Sequence, residues 1–304
     1  MMYQTYELEN DQLKVVAVDL AASIYQIYLK DNGKLIPLLS TPKTTELFVE
    51  NTLSYGRTIG RTAGKLYENE KTKQYVDFKG EPHYMHGGPS KFSQKTFSVK
   101  KHTKDTIAFE LAIPNLSDGY VGNLNVLVTY RLFQGSLIVW HQAKTDQDTL
   151  LNMTFHPYFN LDQSNSLDAH QFYLVSSTYL GQDAMGRFAY EADTKSTHRD
   201  FTRFKSLKID KSNALDDIFV LPKDRYSATL KTNAIEMNVF TNYHTLVAYT
   251  QNKPTNTDLT NANKGEIFTG IAIECQKSQK ELNVLKHDRV YDHYIMYNFK
   301  KIAQ

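Results

Sequence analysis

The sequence predicts an all-β fold, a large twisted antiparallel β-sandwich, from its composition, its alternation pattern and its lack of helical periodicity. The chain of 304 residues contains 20 Tyr and 16 Phe beside abundant Val, Ile and Thr, and these residue types suit the pleated, half-buried surface of a sheet. Short segments alternate apolar and polar residues, whereas sustained apolar stripes of helical period are scarce. Strands do not alternate with long helical segments, which excludes a TIM barrel or a doubly wound parallel sheet.

Seven segments with period-two alternation are predicted as strands. They are Ser23 to Leu29, Thr106 to Ile113, Leu124 to Phe133, Ser136 to Thr145, Ala234 to Thr241, Gly270 to Cys275 and His293 to Phe299. Turn-forming clusters such as Asp31-Asn32-Gly33 separate them. Many antiparallel strands bury two faces only by stacking or closing, which favours the sandwich. No repeat or linker interrupts the chain, so residues 1–304 are predicted as one domain, with residues 251–264 as an exposed loop.

Charge and cysteine content limit the partners and the compartment. The 35 basic and 33 acidic residues nearly cancel, so no global field attracts nucleic acid or an anionic membrane, and a small neutral molecule fits better. Cys275 is the only cysteine, which excludes an intramolecular disulfide and favours a reducing compartment. The first ten residues lack the features of a secretory signal, and no apolar run is long enough to span a bilayer. We therefore expect a cytoplasmic protein, either a monomer or a homodimer.

His86 and His156 are the first candidates for chemistry. His86 is followed by two glycines, and the absence of a side chain there permits close approach of the backbone to a ligand; the alternative is a glycine-rich turn with a surface histidine. His156 lies within the apolar, aromatic segment Leu151 to Leu161 (LNMTFHPYFNL). It is either a general acid, because imidazole titrates near neutral pH, or a core histidine bonded to the backbone.

Carboxylates provide the complementary candidates. Glu274 follows alternating apolar residues in Gly270 to Gln276 (GIAIECQ), and a carboxylate at the end of a buried strand is costly unless it is paired or used. It is a general-base candidate; the alternative is a glutamate on an edge strand that faces water. Asp216 and Asp217 precede an apolar strand, where one of them can bind hydroxyl groups or both can simply form a turn.

In order along the chain, these motifs resemble the aldose 1-epimerase (galactose mutarotase) family over most of its length. Asn152 to Leu161 (NMTFHPYFNL) closely matches the family's NLTNHxYFNL, and the MHGG around His86 resembles its LHGG. Five further segments resemble family motifs. Residues 54–66 resemble GRxxNR, residues 118–124 resemble DGxxGYPGxL, residues 215–219 resemble YDHxF, residues 274–283 resemble ETQxxPDAxN, and residues 291–299 resemble the family's final strand. Seven matches in order make the resemblance specific.

The resemblance implies a supersandwich fold with a sugar on its concave face and a reaction that interconverts the α and β anomers of a free aldose of the galactose or glucose type. It implies Glu274 as general base, His156 as general acid and His86 as an assisting histidine at the ring oxygen. Asp216 matches the aspartate that holds sugar hydroxyls, and Gln276 is a further candidate for binding the sugar. Acid and base catalysis of ring opening requires no metal and no cofactor.

Departures from the family pattern concern sugar contacts. Gly64-Lys65 stands where the family has Asn-Arg, which removes an amide and replaces a planar guanidinium by a flexible point charge. Lys65 and the nearby Arg61 are included as candidate substrate contacts. Asp217 replaces the family's histidine. These changes predict retained chemistry with an altered sugar preference.

Three alternatives stand beside this interpretation. A hexose-6-phosphate 1-epimerase would use Lys65 and Arg61 for the phosphate, although the HGG segment lacks the arginine that such relatives carry. A non-catalytic carbohydrate-binding or sensor protein would keep the fold without the reaction. Metal-dependent hydrolysis is disfavoured, since His83 and His86 belong to no HExxH or CxxC pattern.

Overall fold

The computed structural model describes residues 3–51, 53–223 and 225–302, and it is all-β, as predicted. The only α-helix among these residues is the single-turn α1 (Thr45–Glu50), with 3-10 turns at Thr72–Gln74 and Phe92–Gln94. The strands are β1 (Thr5–Glu9), β2 (Leu13–Val18), β3 (Ser23–Asp31), β4 (Lys34–Pro37), β5 (Arg57–Ile59), β6 (Lys65–Tyr67), β7 (His83–Met85), β8 (Ser98–His102), β9 (Thr106–Ile113), β10 (Leu124–Phe133), β11 (Ser136–Thr145), β12 (Thr149–Leu150), β13 (Thr154–His156), β14 (Tyr158–Phe159), β15 (Gln171–Leu174), β16 (Thr178–Gln182), β17 (Phe188–Asp193), β18 (Lys205–Ser206), β19 (Asp216–Val220), β20 (Tyr226–Lys231), β21 (Ile235–Thr241), β22 (Thr245–Tyr249), β23 (Ile271–Gln276), β24 (Val284–Leu285) and β25 (Tyr291–Lys301).

Three sheets of antiparallel strands carry the architecture. The largest has nine strands in the order β18-β15-β20-β21-β25-β11-β10-β9-β8. A six-stranded sheet has the order β14-β23-β22-β19-β16-β17, and a four-stranded sheet is the meander β1-β2-β3-β4. Two-stranded pairs join β5 with β13, β6 with β7 and β12 with β24. Strand β25 pairs with both β21 and β11, so the last strand of the chain lies in the middle of the largest sheet.

Alternation in the sequence explains the best-defined hairpin, β10-β11. Along β10, buried residues such as Val126, Val128 and Tyr130 alternate with more exposed ones, so one face of this strand packs on the core. Both strands begin and end at the predicted residues. Phe133 and Ser136, which flank the turn, pair directly with each other. Strand β9 also has the predicted bounds, and the other four predicted strands occur at their expected places with one or both ends shifted by one or two residues.

The core lies between the sheets. One hydrophobic cluster takes Val128 and Tyr297 from the nine-stranded sheet, Phe159 and Ile273 from the six-stranded sheet, and Ile27 from the four-stranded sheet. The Tyr297 hydroxyl donates to the carbonyl of Ile273 at 2.8 Å, and its ring lies 4.9 Å from that of Phe159. Because the phenol satisfies its polar atom inside the core, it links the two large sheets at little desolvation cost.

One sequence prediction was wrong in part. Residues 251–264 contain no strand, as expected, but they are not simply exposed, since Gln251, Thr255 and Leu259 are buried. The Thr269 hydroxyl donates to the Gln251 side chain, which ties the start of the segment to the residues just before β23. Its polar residues satisfy one another inside the fold, which composition alone does not reveal. None of the helices in the described ranges is long and apolar enough to cross a membrane. The single-domain boundary at residues 1–304 stays a prediction.

Candidate active site

A cavity of about 330 Å³ opens over the six-stranded sheet. Side chains two residues apart on a strand face the same side, so alternate residues of three adjacent strands line it. These residues are Asp216 and Ile218 on β19, Val247 and Tyr249 on β22, and Glu274 and Gln276 on β23. The register places Val247 opposite Glu274 and Tyr249 opposite Asp216. Glu274 therefore lies on an interior strand, not on the edge strand that was the alternative.

Segments outside this sheet form the other walls. His156 ends β13, and the Thr154 hydroxyl on the same strand donates to the Cys275 carbonyl at 2.9 Å, which holds β13 beside β23. His86 follows β7, which pairs with β6 so that Lys65 lies opposite Met85. Residues from distant parts of the chain thus reach one cavity.

Glu274 and His156 face each other directly. Their exposed fractions are 4% and 5%, and His156 Nε2 lies 3.3 Å from Glu274 Oε1. Burial, with Asp216 contributing less, raises the pKa of Glu274 well above its ordinary value. Burial, with His86 contributing less, lowers the pKa of His156 to about 3. Both shifts favour uncharged groups, so the pair holds a single proton between carboxyl and imidazole over a wide pH range.

His86 is held in one tautomer by the backbone. Its Nδ1 accepts a hydrogen bond from the Gly64 N–H at 3.2 Å, so the proton of the neutral ring lies on Nε2. Burial, followed by Lys91 and Lys253, lowers the pKa of His86 to about 4, which keeps the ring neutral near pH 7. The ring centroids of His86 and His156 are 5.8 Å apart. His86 can therefore present an N–H donor beside the Glu274–His156 pair.

Asp216 and Asp217 have opposite orientations. Asp216 is exposed through the cavity mouth, yet enough protein surrounds it that desolvation, and then Asp217, raise its pKa. Asp217 is buried on the other side of β19, where its Oδ1 accepts from Arg199 Nε at 2.7 Å. Only Asp216 is placed to meet a ligand in the cavity.

Two glutamines leave polar atoms without partners at the cavity. Gln276 Nε2 and Gln279 Oε1 are buried and form no hydrogen bond with the described residues, although both side chains line the cavity. A buried polar atom left unpaired costs about 1–3 kcal/mol. Hydroxyl groups both donate and accept, so a polyhydroxylated ligand would satisfy one glutamine as acceptor and the other as donor.

A family model described as Aldose 1-epimerase matches residues 4–298. The chain belongs to the aldose 1-epimerase family. The galactose mutarotase of Rattus norvegicus is 29% identical over 187 residues, which cover 59% of this chain and 54% of the relative, so the chain spans about half the length of that relative. The maltose epimerase of Levilactobacillus brevis is 27% identical over 325 residues, covering 97% of this chain and 94% of the relative.

A solved structure shares the fold of this aldose 1-epimerase family member. The structure of a GalM/aldose epimerase homologue from C. elegans superposes with a TM-score of 0.88 at 23% identity, over 99% of this chain and 100% of the other. At that identity the likeness shows the supersandwich fold alone. The all-β prediction is therefore confirmed, and the family model over residues 4–298 confirms the family resemblance.

Six of the seven predicted site residues of this family member line the cavity, and Arg61 does not. The six are Lys65, His86, His156, Asp216, Glu274 and Gln276. Arg61 is fully buried elsewhere, with Nε donating to Asp118 Oδ2 at 2.8 Å and its other nitrogens bonded to the carbonyls of Val121 and Gly122 and to Thr149 Oγ1. The expectation of a sugar contact at Arg61 is corrected: every terminal of the guanidinium is used inside the protein.

Asp118→Asn is expected to destabilise the fold by about 3 kcal/mol, because it leaves the buried Arg61 charge without its counter-ion. The free energy of unfolding from urea titration checks this. Asp31→Asn is the matched control, since Asp31 forms an ion pair with Lys301 at the surface and its loss should cost no more than about 1 kcal/mol. Equal losses for the two variants would contradict a structural role for Arg61.

The two glycines after His86 are required by the packing of the backbone. A Cβ added to Gly87 would clash with the Gly60 carbonyl, and one added to Gly88 would lie 2.5 Å from the Tyr84 ring. Both have positive φ, +98° and +78°. The segment packs closely against the rest of the protein, and this packing positions His86.

Gly64, the departure from the family's Asn, makes room for an amide from another segment. Its φ is +69°, and an added Cβ would clash with the side-chain amide of Gln279. The Gln279 amide therefore occupies the space that a side chain at position 64 would need. Gln279 was not among the predicted site residues. It lies within the ECQKSQKELN segment, so its position three residues after Gln276 was the available signal.

Gly64→Ala is expected to raise the dissociation constant of a hexose such as glucose or galactose by about 10-fold, because the methyl group displaces the flexible Gln279 amide and removes about one hydrogen bond. Calorimetric titration of the two sugars measures it. Gly33→Ala is the matched control: its φ is +80° with nothing within 4 Å, so it carries the same backbone penalty without the displacement. A dissociation constant unchanged in Gly64→Ala would contradict a role of Gln279 in binding the sugar.

Sequence reasoning also missed other residues that line the cavity, among them Tyr158, Lys91 and Lys253. Tyr158 lies two residues after His156, and period-two reasoning would have found it. Lys91 and Lys253 also line the cavity, but neither belongs to a motif, and only the tertiary structure brings them to it. Within the described ranges, no group of three or more His, Cys, Asp or Glu side chains is arranged to hold a metal ion.

Proposed function

We propose that this protein interconverts the α and β anomers of an aldose with a free anomeric hydroxyl. The observation that carries the proposal is the buried Glu274–His156 pair, 3.3 Å apart in a cavity of about 330 Å³. A buried carboxyl beside an imidazole, with pKa values shifted in opposite directions, suits paired acid and base catalysis. The names of the relatives, galactose mutarotase and maltose epimerase, support the same reaction class.

The proposed mechanism uses one proton on the pair. In the ionised form, Glu274 accepts the proton of the C1 hydroxyl while His156 donates its proton to the ring oxygen, which breaks the C1–O5 bond and leaves an aldehyde at C1. Rotation about C1–C2 exposes the other face of the carbonyl. The ring then closes as Glu274 returns a proton to O1 and His156 takes one from the C5 hydroxyl. The pair ends as it began, so no cofactor is consumed.

Other cavity residues orient the sugar in this proposal. His86, with its proton on Nε2, donates toward the ring oxygen, and Asp216 accepts from sugar hydroxyls. Gln276 supplies an amide N–H that has no partner among the described residues, and Lys65 adds a cationic donor. A cytoplasmic location remains part of the proposal, supported by the single, buried Cys275.

A mutarotation assay tests the function. Freshly dissolved α-glucose, α-galactose and maltose are followed by polarimetry or by NMR exchange between anomers, with the uncatalysed rate subtracted. Acceleration of at least one sugar supports the proposal. Binding without acceleration would instead favour the non-catalytic carbohydrate-binding alternative.

We expect that kcat/KM does not fall when the pH is lowered through 6.5. The active pair carries one proton; it gains a second only near pH 3, where His156 titrates, and it loses the first above the raised pKa of Glu274. Activity should therefore stay level from pH 7 down to the acid limit of folding and fall on the alkaline side. Kinetics between pH 4 and 9 check this, and a decline centred near pH 6.5 on acidification would contradict the assignment of His156.

A further inference from the structure

The outer face of the nine-stranded sheet carries large apolar side chains where a sheet that faces water usually carries polar ones. Along β11 and β25, inner-face residues such as Val139 and Ile295 are buried in the core, so their sequence neighbours point to the outer face. Eight of the apolar residues on this outer face are neighbours, and we call them the outer patch. They are Ile138 and Trp140 on β11, Tyr294 and Met296 on β25, Phe240 on β21, Tyr226 on β20, Tyr173 on β15, and Phe204 just before β18.

Strand register makes the outer patch continuous across the middle of the sheet. Ile138 pairs with Met296, and Met296 pairs with Phe240, so these three side chains form one row over three adjacent strands. Trp140 pairs with Tyr294 in the next row of the same face. Directly opposed side chains on one face of a sheet lie about 5 Å apart and contact each other. The centre of the outer patch is therefore an unbroken apolar surface.

A ladder of aromatic rings extends the outer patch toward β15. The ring centroids of Phe240 and Tyr226 are 5.5 Å apart, those of Tyr226 and Tyr173 are 6.2 Å apart, and those of Tyr173 and Phe204 are 5.5 Å apart. Phe204 at this end is 45% exposed, and Trp140 at the other end is 41% exposed. A contiguous exposed surface of aromatic residues and methionine has the composition that protein–protein interfaces favour.

The size of the outer patch matches what a dimer needs. Its five strands lie about 4.8 Å apart and its three rows of side chains about 6.7 Å apart, so it covers about 500 Å² of each copy. A stable dimer buries about 800 Å² per partner, and part of that area is a polar rim. Such a rim is present on the same face, since Thr129 and Arg131 pair with Trp140 and Ile138 from β10, and Asn298 continues β25.

Charge favours a second copy of the chain over a charged partner. No residue of the outer patch is charged. Acidic and basic residues both border it, among them Asp292 and Glu236 beside Arg131, Lys231 and Lys300. Glu236 already pairs with Lys300 at 2.8 Å. The border therefore has no single sign that would select nucleic acid, an acidic peptide or an anionic membrane, and two copies can meet without like-charge repulsion at the centre.

We propose that the outer patch is the contact face of a homodimer, in which two copies pack the outer faces of their nine-stranded sheets together about a two-fold axis. Two sheets of the same twist pack face to face about 10 Å apart, as the sheets of a sandwich do. Such a contact is isologous and closed, which limits the assembly to two copies. The cavity with Glu274 and His156 lies over the six-stranded sheet, on the far side of the core, so both cavities stay open.

Sedimentation velocity over a dilution series tests the inference. Between about 1 μM and about 100 μM, the weight-average mass should rise from 35.0 kDa toward twice that value. Trp140 is the only tryptophan of the chain, so its fluorescence reports directly on the outer patch. In the dimer its emission should shift to shorter wavelength and its quenching by acrylamide should fall. A mass of 35.0 kDa throughout, or a dimer in which Trp140 is quenched as in the monomer, would overturn the inference.

Two charge variants locate the contact and supply the monomer reference. Met296→Lys at the centre and Phe204→Lys at the exposed end should each raise the dissociation constant of the dimer about 100-fold or more, because a lysine would be buried there without a counter-ion. Leu35→Lys is the matched control, since Leu35 on β4 is also 45% exposed but lies on the four-stranded sheet. Thermal unfolding verifies the fold. A folded Phe204→Lys or Met296→Lys protein that dimerises as tightly as the native chain would overturn the inference.

Other occupants of the outer patch are tested on the same protein. A maltooligosaccharide and vesicles of phosphatidylcholine are each titrated while the emission of Trp140 is recorded. Neither should change the emission of the dimer. A protein that stays monomeric and whose Trp140 emission responds to the sugar or to the vesicles would assign the outer patch to that ligand and overturn the homodimer.

Discussion

Glu274→Gln is expected to lower kcat/KM for anomer exchange by about 10²–10⁴-fold, since the amide cannot accept the proton of the C1 hydroxyl. The raised pKa of Glu274 makes this substitution informative. An amide has nearly the shape of a protonated carboxyl, which is the form that burial already favours, so the fold and the cavity should remain. NMR exchange spectroscopy or polarimetry gives the rate, and thermal unfolding verifies the fold.

Glu81→Gln is the matched control for this experiment. Glu81 is exposed and has no side-chain hydrogen bond or ion pair among the described residues, so the same change of chemistry there should leave kcat/KM within about twofold. A folded Glu274→Gln protein that retained the native rate would remove Glu274 as the base. The Glu274 variant should nevertheless bind the sugar, because Lys65, Gln276 and Gln279 are unchanged.

His156→Gln is expected to reduce kcat by a similar factor, about 10²–10⁴-fold, with a smaller effect on KM. The imidazole is the group beside Glu274 that can hand a proton to the ring oxygen, whereas glutamine cannot transfer one. Its Nδ1 has no partner in the described structure, so the substitution breaks no hydrogen bond of that atom. Steady-state kinetics separate the two constants, and His102→Gln, at an exposed position on β8, is the control.

The double variant Glu274→Gln/His156→Gln sharpens the prediction. If the two groups move one proton together, the double variant should be scarcely slower than the worse single variant, because removing either partner already disables the pair. Effects that multiply would mean that the residues act independently. That outcome would contradict the concerted mechanism even if each residue proved important.

The sequence predicted more of the strands than of the connections among them. Alternation gave the bounds of β10 and β11, since side chains on one face of a strand must repeat every two residues. It gave no indication that β25 pairs between β21 and β11, because such pairing depends on contacts between residues far apart in the chain. The same limitation explains the error at residues 251–264, whose polar residues find partners in the folded protein.

The same limitation separates the candidate residues that the sequence identified from those that it misjudged or missed. Glu274 and His156 were selected because ionisable groups in apolar strands are costly and so are informative in the sequence itself. Arg61 was misjudged, since an arginine next to a glycine gives no sign of a buried aspartate 57 positions later. Lys91, Lys253 and Gln279 were missed, because an isolated polar residue in a loop is typical of a solvent-exposed surface.

By itself the sequence determined the all-β class, the family and the identity of the two proton-transfer candidates, because local alternation and costly buried charge are properties of short segments. Only the tertiary structure decided that Glu274 and His156 lie 3.3 Å apart, that Arg61 forms its ion pair inside the protein, and that Lys91 and Lys253 line the same cavity. The physical reason is strand register: a shift of one residue reverses the face of every side chain, so which groups meet is set by long-range pairing.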